Sequence, residues 1–149
     1  MSINTKQLEN ILQNFVRSTS GIEGVALITP DGLPLASNLP NTMDEERVAA
    51  MSAAMLSLGE RIGSELARGS IQRIFVEGDL GYGILTSCGE DAVFLVLANS
   101  STKQGLLMLA IKQATNTLRK VLVAVEEESS DPSYVSLEQE RNLGSSLRI

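Results

Sequence analysis

The sequence predicts a layered α/β sandwich, with one five-stranded, mostly antiparallel sheet and helices on both faces. Three observations carry this. Apolar residues recur with helical spacing in three separate segments, β-rich runs fall between them, and the connections between runs are too short for parallel crossovers. With 149 residues and 43% hydrophobic content the chain supports one sizeable core and not two. The domain is expected over residues 1–128. Residues 129–149 are polar and read as a disordered tail outside it.

Asn4 followed by Gln7 has the spacing of a capping box, and Leu8, Ile11, Leu12, Phe15 and Val16 then carry a first helix over about residues 5–17. Ser18, Thr19, Ser20 and Gly21 break it. An apolar run over 24–29 follows, and Pro30, Asp31 and Gly32 supply a fixed φ, a side-chain acceptor and a positive φ in turn. Residues 33–37 return as the second arm of a hairpin. After a linker containing Pro40, Thr42 with Glu45 is expected to cap a long helix that closes on Arg68 and Gly69. Three strands follow over 71–77, 81–87 and 92–98, separated by tight glycine and aspartate turns. The glycines between 78 and 83 join two strands rather than opening a helix, so they read as a turn and not as a phosphate cradle. Ser101 with Gln104 caps the third helix, which runs from Leu106 through Val125. It is expected to fray where Glu126, Glu127 and Glu128 meet the negative end of the dipole.

The long helix organises the rest. At about 100° per residue, Val48, Met51, Met55, Leu58, Ile62 and Leu66 form one bulky apolar arc. Ser52, Leu56, Gly59, Gly63 and Ala67 form an adjacent arc of small residues, and Arg47, Ser57, Arg61, Ser64, Glu65 and Arg68 a polar third. Each mid-helix glycine costs about 1 kcal/mol relative to alanine, a cost that close approach by another element offsets. That element is either a second helix or this chain's own sheet, and the helix alone leaves both open.

Composition removes several functions. The net charge of −6, with two Tyr, three Phe and no Trp, argues against nucleic-acid binding, which needs cationic surface and stacking rings. The first residues lack a signal-peptide pattern and no apolar run reaches the length of a membrane span, so a cytoplasmic protein without a membrane span is expected. Cys88 is the single cysteine, which excludes an intrachain disulfide; it reads as a half-buried strand residue. The absence of histidine removes the commonest general base and most zinc sites, and the carboxylates lie scattered in turns and on helix surfaces. No cofactor, metal or catalytic residue is expected.

The residues Gly21-Ile22-Glu23-Gly24 entering a strand, the run from Thr29 to Ser37 across the hairpin, and the Met- and Ala-rich helix running to Gly69 resemble the Roadblock/dynein-light-chain family. Within it they resemble bacterial small-GTPase regulators of the MglB type, over about residues 8–125. The resemblance implies a Roadblock-type α-β-β-α-β-β-β-α order and a dimer in which the long helices pair across a two-fold axis and edge strands join. On it, Leu56, Gly59, Gly63, Ala67, Ile71, Arg73 and Phe75 would form the dimer interface, with the bulky arc covering the sheet. Arg47, Glu60, Arg61, Ser64 and Arg68 would contact a Ras-like small GTPase, in cell polarity, motility or related signalling. A dimeric scaffold without a GTPase partner is the alternative. A small-ligand sensor or enzyme using a pocket between helix and sheet is a third reading.

Overall fold

The computed structural model describes residues 5–129. The elements run α1 (Thr5–Ser18), β1 (Ile22–Ile28), β2 (Pro34–Asn38), α2 (Glu45–Glu65), β3 (Arg73–Gly78), β4 (Gly81–Ser87), β5 (Val93–Asn99) and α3 (Gln104–Ser129). All eight are in the order expected. The strands form one sheet ordered β2-β1-β5-β4-β3, and each neighbouring pair is antiparallel.

Alternation along the strands divides the core in two. On one face Val25, Leu27, Ile84, Phe94 and Val96 meet Leu8, Leu12 and Phe15 of α1 and Leu107, Ile111 and Leu118 of α3. Phe15 and Phe94 pack edge to face at 5.4 Å between ring centroids. On the other face Ala26, Ile28, Leu85, Val93 and Leu95 meet Val48 and Ala49 of α2. Residues of β1, β4 and β5 thus serve two cores at once, and these strands read as nearly continuous apolar runs.

The hairpin forms as the turn residues dictate. Gly32 takes φ +97° and its N–H donates to the Thr29 carbonyl at 3.0 Å, while Thr29 N–H donates to the Leu33 carbonyl at 2.8 Å and Leu33 N–H donates to Thr29 Oγ1 at 2.9 Å. Gly78 pairs directly with Gly81, confirming a strand turn there.

Several boundaries differ from expectation. Thr42 does not cap α2; Asp44 does, its carboxylate accepting from Glu46 N–H at 3.1 Å, because a turn from Pro40 to Met43 delays the helix. At the far end α2 stops at Glu65 rather than Arg68. Arg68 N–H and Gly69 N–H both fold back onto the Gly63 carbonyl, Ala67 takes φ +56°, and Gly69 has the left-handed φ expected of it. Ser101 does not cap α3, since its hydroxyl donates to Asn99 Oδ1, which also accepts from Thr102 Oγ1. Helix α3 continues to Ser129 rather than ending near Glu126. The Asn4 cap and nearly all of the expected tail lie outside the described residues.

Candidate interaction surface

The three arcs of α2 are present, but the small arc, and not the bulky one, lies on the sheet. The small arc lies on the chain's own sheet. Ser52, Gly59 and Gly63 are buried, and Leu56 packs with Ile74, Leu39 and Leu97 against the second core. A Cβ at Gly59 would stand 2.7 Å from Ile74 Cδ1, and one at Gly63 would collide with the Gly69 carbonyl oxygen and crowd Ile71. The glycines therefore let α2 and the segment leading into β3 close on each other. Gly59 and Gly63 thus lie buried against Ile71, Ile74 and Gly69 of the same chain, and Leu56 is half-buried, whereas the sequence reading set this small arc toward a partner helix.

The bulky arc faces outward. Met51, Met55, Leu58, Ile62 and Leu66 each leave between 39% and 61% of their surface exposed, and only Val48 of that stripe is buried. A contiguous row of this kind is unusual on an unpartnered surface. Between it and the sheet runs a groove of about 500 Å³ whose lining includes Val48, Met51, Met55, Val76, Leu95 and Leu97. The groove is the part of the sheet's second face that α2, crossing toward β1 and β2, leaves uncovered.

Beside this surface lies β3, an edge strand of the sheet. Arg73 and Phe75 are exposed on it, with Phe75 resting against Tyr82 at 5.3 Å between rings, while Ile71 precedes the strand and is half-buried under α2. Ala67 is exposed beyond the end of α2. Sequence reasoning found the edge strand and the apolar row but assigned the row to the wrong neighbour.

Arg47, Glu60, Arg61, Ser64 and Arg68 are all exposed. Arg47 borders the groove at the start of α2. Arg61 pairs with Glu65 at 3.1 Å, both side chains mostly solvated, and Arg68 Nε donates to the Leu66 carbonyl at 2.9 Å. The exposed pair contributes well under 1 kcal/mol. Cys88 is buried rather than half-buried, and burial raises its thiol pKa from 9.0 to about 11 despite the nearby Arg119. Among the described residues no cluster of three metal-ligating side chains occurs, and no helix is long and apolar enough to cross a membrane.

Comparison with known proteins places this geometry. Two uncharacterised proteins of Methanocaldococcus jannaschii are each 31% identical over 104 residues, spanning 70% of this chain and 90% of theirs. MglB of Myxococcus xanthus superposes with a TM-score of 0.78 at 18% identity, covering 83% of this chain and 93% of that one. The gliding protein MglB of Thermus thermophilus superposes with a TM-score of 0.70 at 17% identity, covering 81% and 92%. The Roadblock/LC7 domain matches residues 8–98, and the chain belongs to the Roadblock/LC7 family.

Proposed function

We propose that this protein is a dimeric regulator of a Ras-like small GTPase, acting in cell polarity, motility or related signalling. The observation that carries the reading is the outward apolar row of α2 set beside the edge strand β3, on a Roadblock/LC7 fold like that of MglB. In the dimer the bulky arcs of two α2 helices cover each other and the adjoining grooves, and the two β3 strands pair through their free backbone groups. This blunts an edge that would otherwise invite uncontrolled pairing. A two-fold axis beside α2 brings both copies' polar arcs to one composite surface, where Arg61, Ser64 and Arg68 with Glu60 meet the partner.

The mechanism is differential binding. A dimer that fits one nucleotide state of its partner better than the other shifts that partner's population by the ratio of the two affinities. No residue of this chain is assigned to nucleotide chemistry. Any activation acts through the partner's own active site.

A pull-down from the source cell lysate on immobilised protein tests this, with GDP in one arm and a non-hydrolysable GTP analogue in the other. A small GTPase retained in one arm alone is the expected result. Capture of other proteins irrespective of nucleotide would make the chain a scaffold.

A further inference from the structure

On the opposite side of the sheet from α2, a cleft of about 820 Å³ opens between the start of β3, the end of β4 and one face of α3. Its size falls within the range of small-molecule sites. Arg73 stands opposite Thr86 in the β3–β4 register, so both project to the side that carries α3. From α3, Lys112, Asn116 and Arg119 line the cleft at the spacing of successive turns.

Three observations point to an anion. Three of the chain's twelve basic residues line this cleft and no carboxylate does, in a protein whose net charge is −6. Arg73 and Lys112 have no ion-pair or hydrogen-bond partner among the described residues, and Arg119 spends one N–H on the Ser87 carbonyl at 3.3 Å. Thr86 is 7% exposed, and its hydroxyl is a buried side-chain oxygen without a hydrogen-bond partner among the described residues. A buried hydroxyl left unpaired is a standing cost to the fold, and a ligand oxygen would remove it.

We propose that this cleft binds a phosphate-bearing small molecule, with Arg73, Lys112 and Arg119 around the phosphate and the Thr86 hydroxyl donating to it. Three positive charges on facing elements suit a multiply charged oxyanion; a single carboxylate would leave two of them uncompensated. Met108 and Leu109, also in the lining, give the cleft an apolar wall for the rest of the ligand. The site stands apart from the α2 surface, because edge pairing of β3 uses its backbone while Arg73 projects toward α3. It does not depend on the GTPase reading.

The test is a titration of the full-length protein with pyrophosphate, followed by amide NMR shifts. Saturable shifts confined to residues around 73, 86–87 and 112–119, complete at about 1 mM or below, are expected. Lys112→Gln and Arg119→Gln, both exposed and harmless to the core, should each weaken binding at least tenfold. Thr86→Val should weaken binding while raising the melting temperature of the free protein. Shifts spread equally over Arg61 and Arg68, or an affinity unchanged in the Lys112 and Arg119 variants, would overturn the assignment.

Discussion

Replacing Gly63 with alanine sets two opposed effects against each other at one position. Helix propensity favours the alanine by about 1 kcal/mol. Packing opposes it: the added Cβ would fall on the Gly69 carbonyl oxygen and lie 3.0 Å and 3.2 Å from Ile71 Cδ1 and Cγ1. Ile71 can shift, but the carbonyl belongs to a segment held by two N–H groups, Arg68 and Gly69, donating to Gly63 itself at 2.7 Å and 3.1 Å. Relieving the overlap means opening that pair of hydrogen bonds at about 1 kcal/mol each, with overpacking adding about 1–3 kcal/mol. The net expectation is a loss of about 2–4 kcal/mol. Urea unfolding at fixed protein concentration measures it, since association would otherwise shift the midpoint. Gly105→Ala is the control, because nothing stands within 4 Å of a Cβ there and stability should change by less than about 1 kcal/mol. A Gly63→Ala protein as stable as the parent would mean that the small arc does not lie against its own chain.

Two further outcomes are expected. The Cys88 thiol titrates near 11 in the folded protein against 9.0 unfolded, so its contribution is intact below about pH 9 and is lost as pH rises toward 11. The loss is at most about 2–3 kcal/mol. Cys88→Ala should flatten that alkaline decline, measured as the difference between two urea-unfolding series. Reversing Arg61 and Arg68 to glutamate should leave the oligomer mass intact, because both are solvated, while weakening GTPase binding at least tenfold; equal affinity in titration calorimetry would remove the polar arc from the partner site.

The parts of this fold that were legible in the sequence are those decided locally. Pro30, Asp31 and Gly32 specify their turn whatever surrounds them, and the periodicity of Leu8 to Phe15 specifies a helix with one buried side. The cap of α2 was misplaced by two residues because Thr42 and Asp44 are both competent caps and the choice depends on the Pro40 turn. The arcs of α2 were also legible as arcs. Their assignment was not, because bulk ordinarily marks the buried face, whereas here Gly59 and Gly63 are required by Ile74, Ile71 and the returning chain. No local pattern reports that contact. The strand order and the pairing of Arg73 with Thr86 are likewise non-local, so the cationic cleft could not be seen before the register was known.

Leu58→Glu examines the outward row most directly. Leu58 is 54% exposed and makes no core contact in the single chain, so the substitution should change the stability of an isolated protomer by no more than about 0.5 kcal/mol. In a dimer that covers the row, each copy loses about 1 kcal/mol of apolar burial and adds the desolvation of a carboxylate, several kcal/mol. Two copies make the dissociation constant at least a thousandfold weaker. Light scattering across a dilution series should therefore find a dimer for the parent and a folded monomer for Leu58→Glu. A dimer of undiminished mass and affinity in the variant would contradict the proposal that the bulky arc of α2 joins the two subunits.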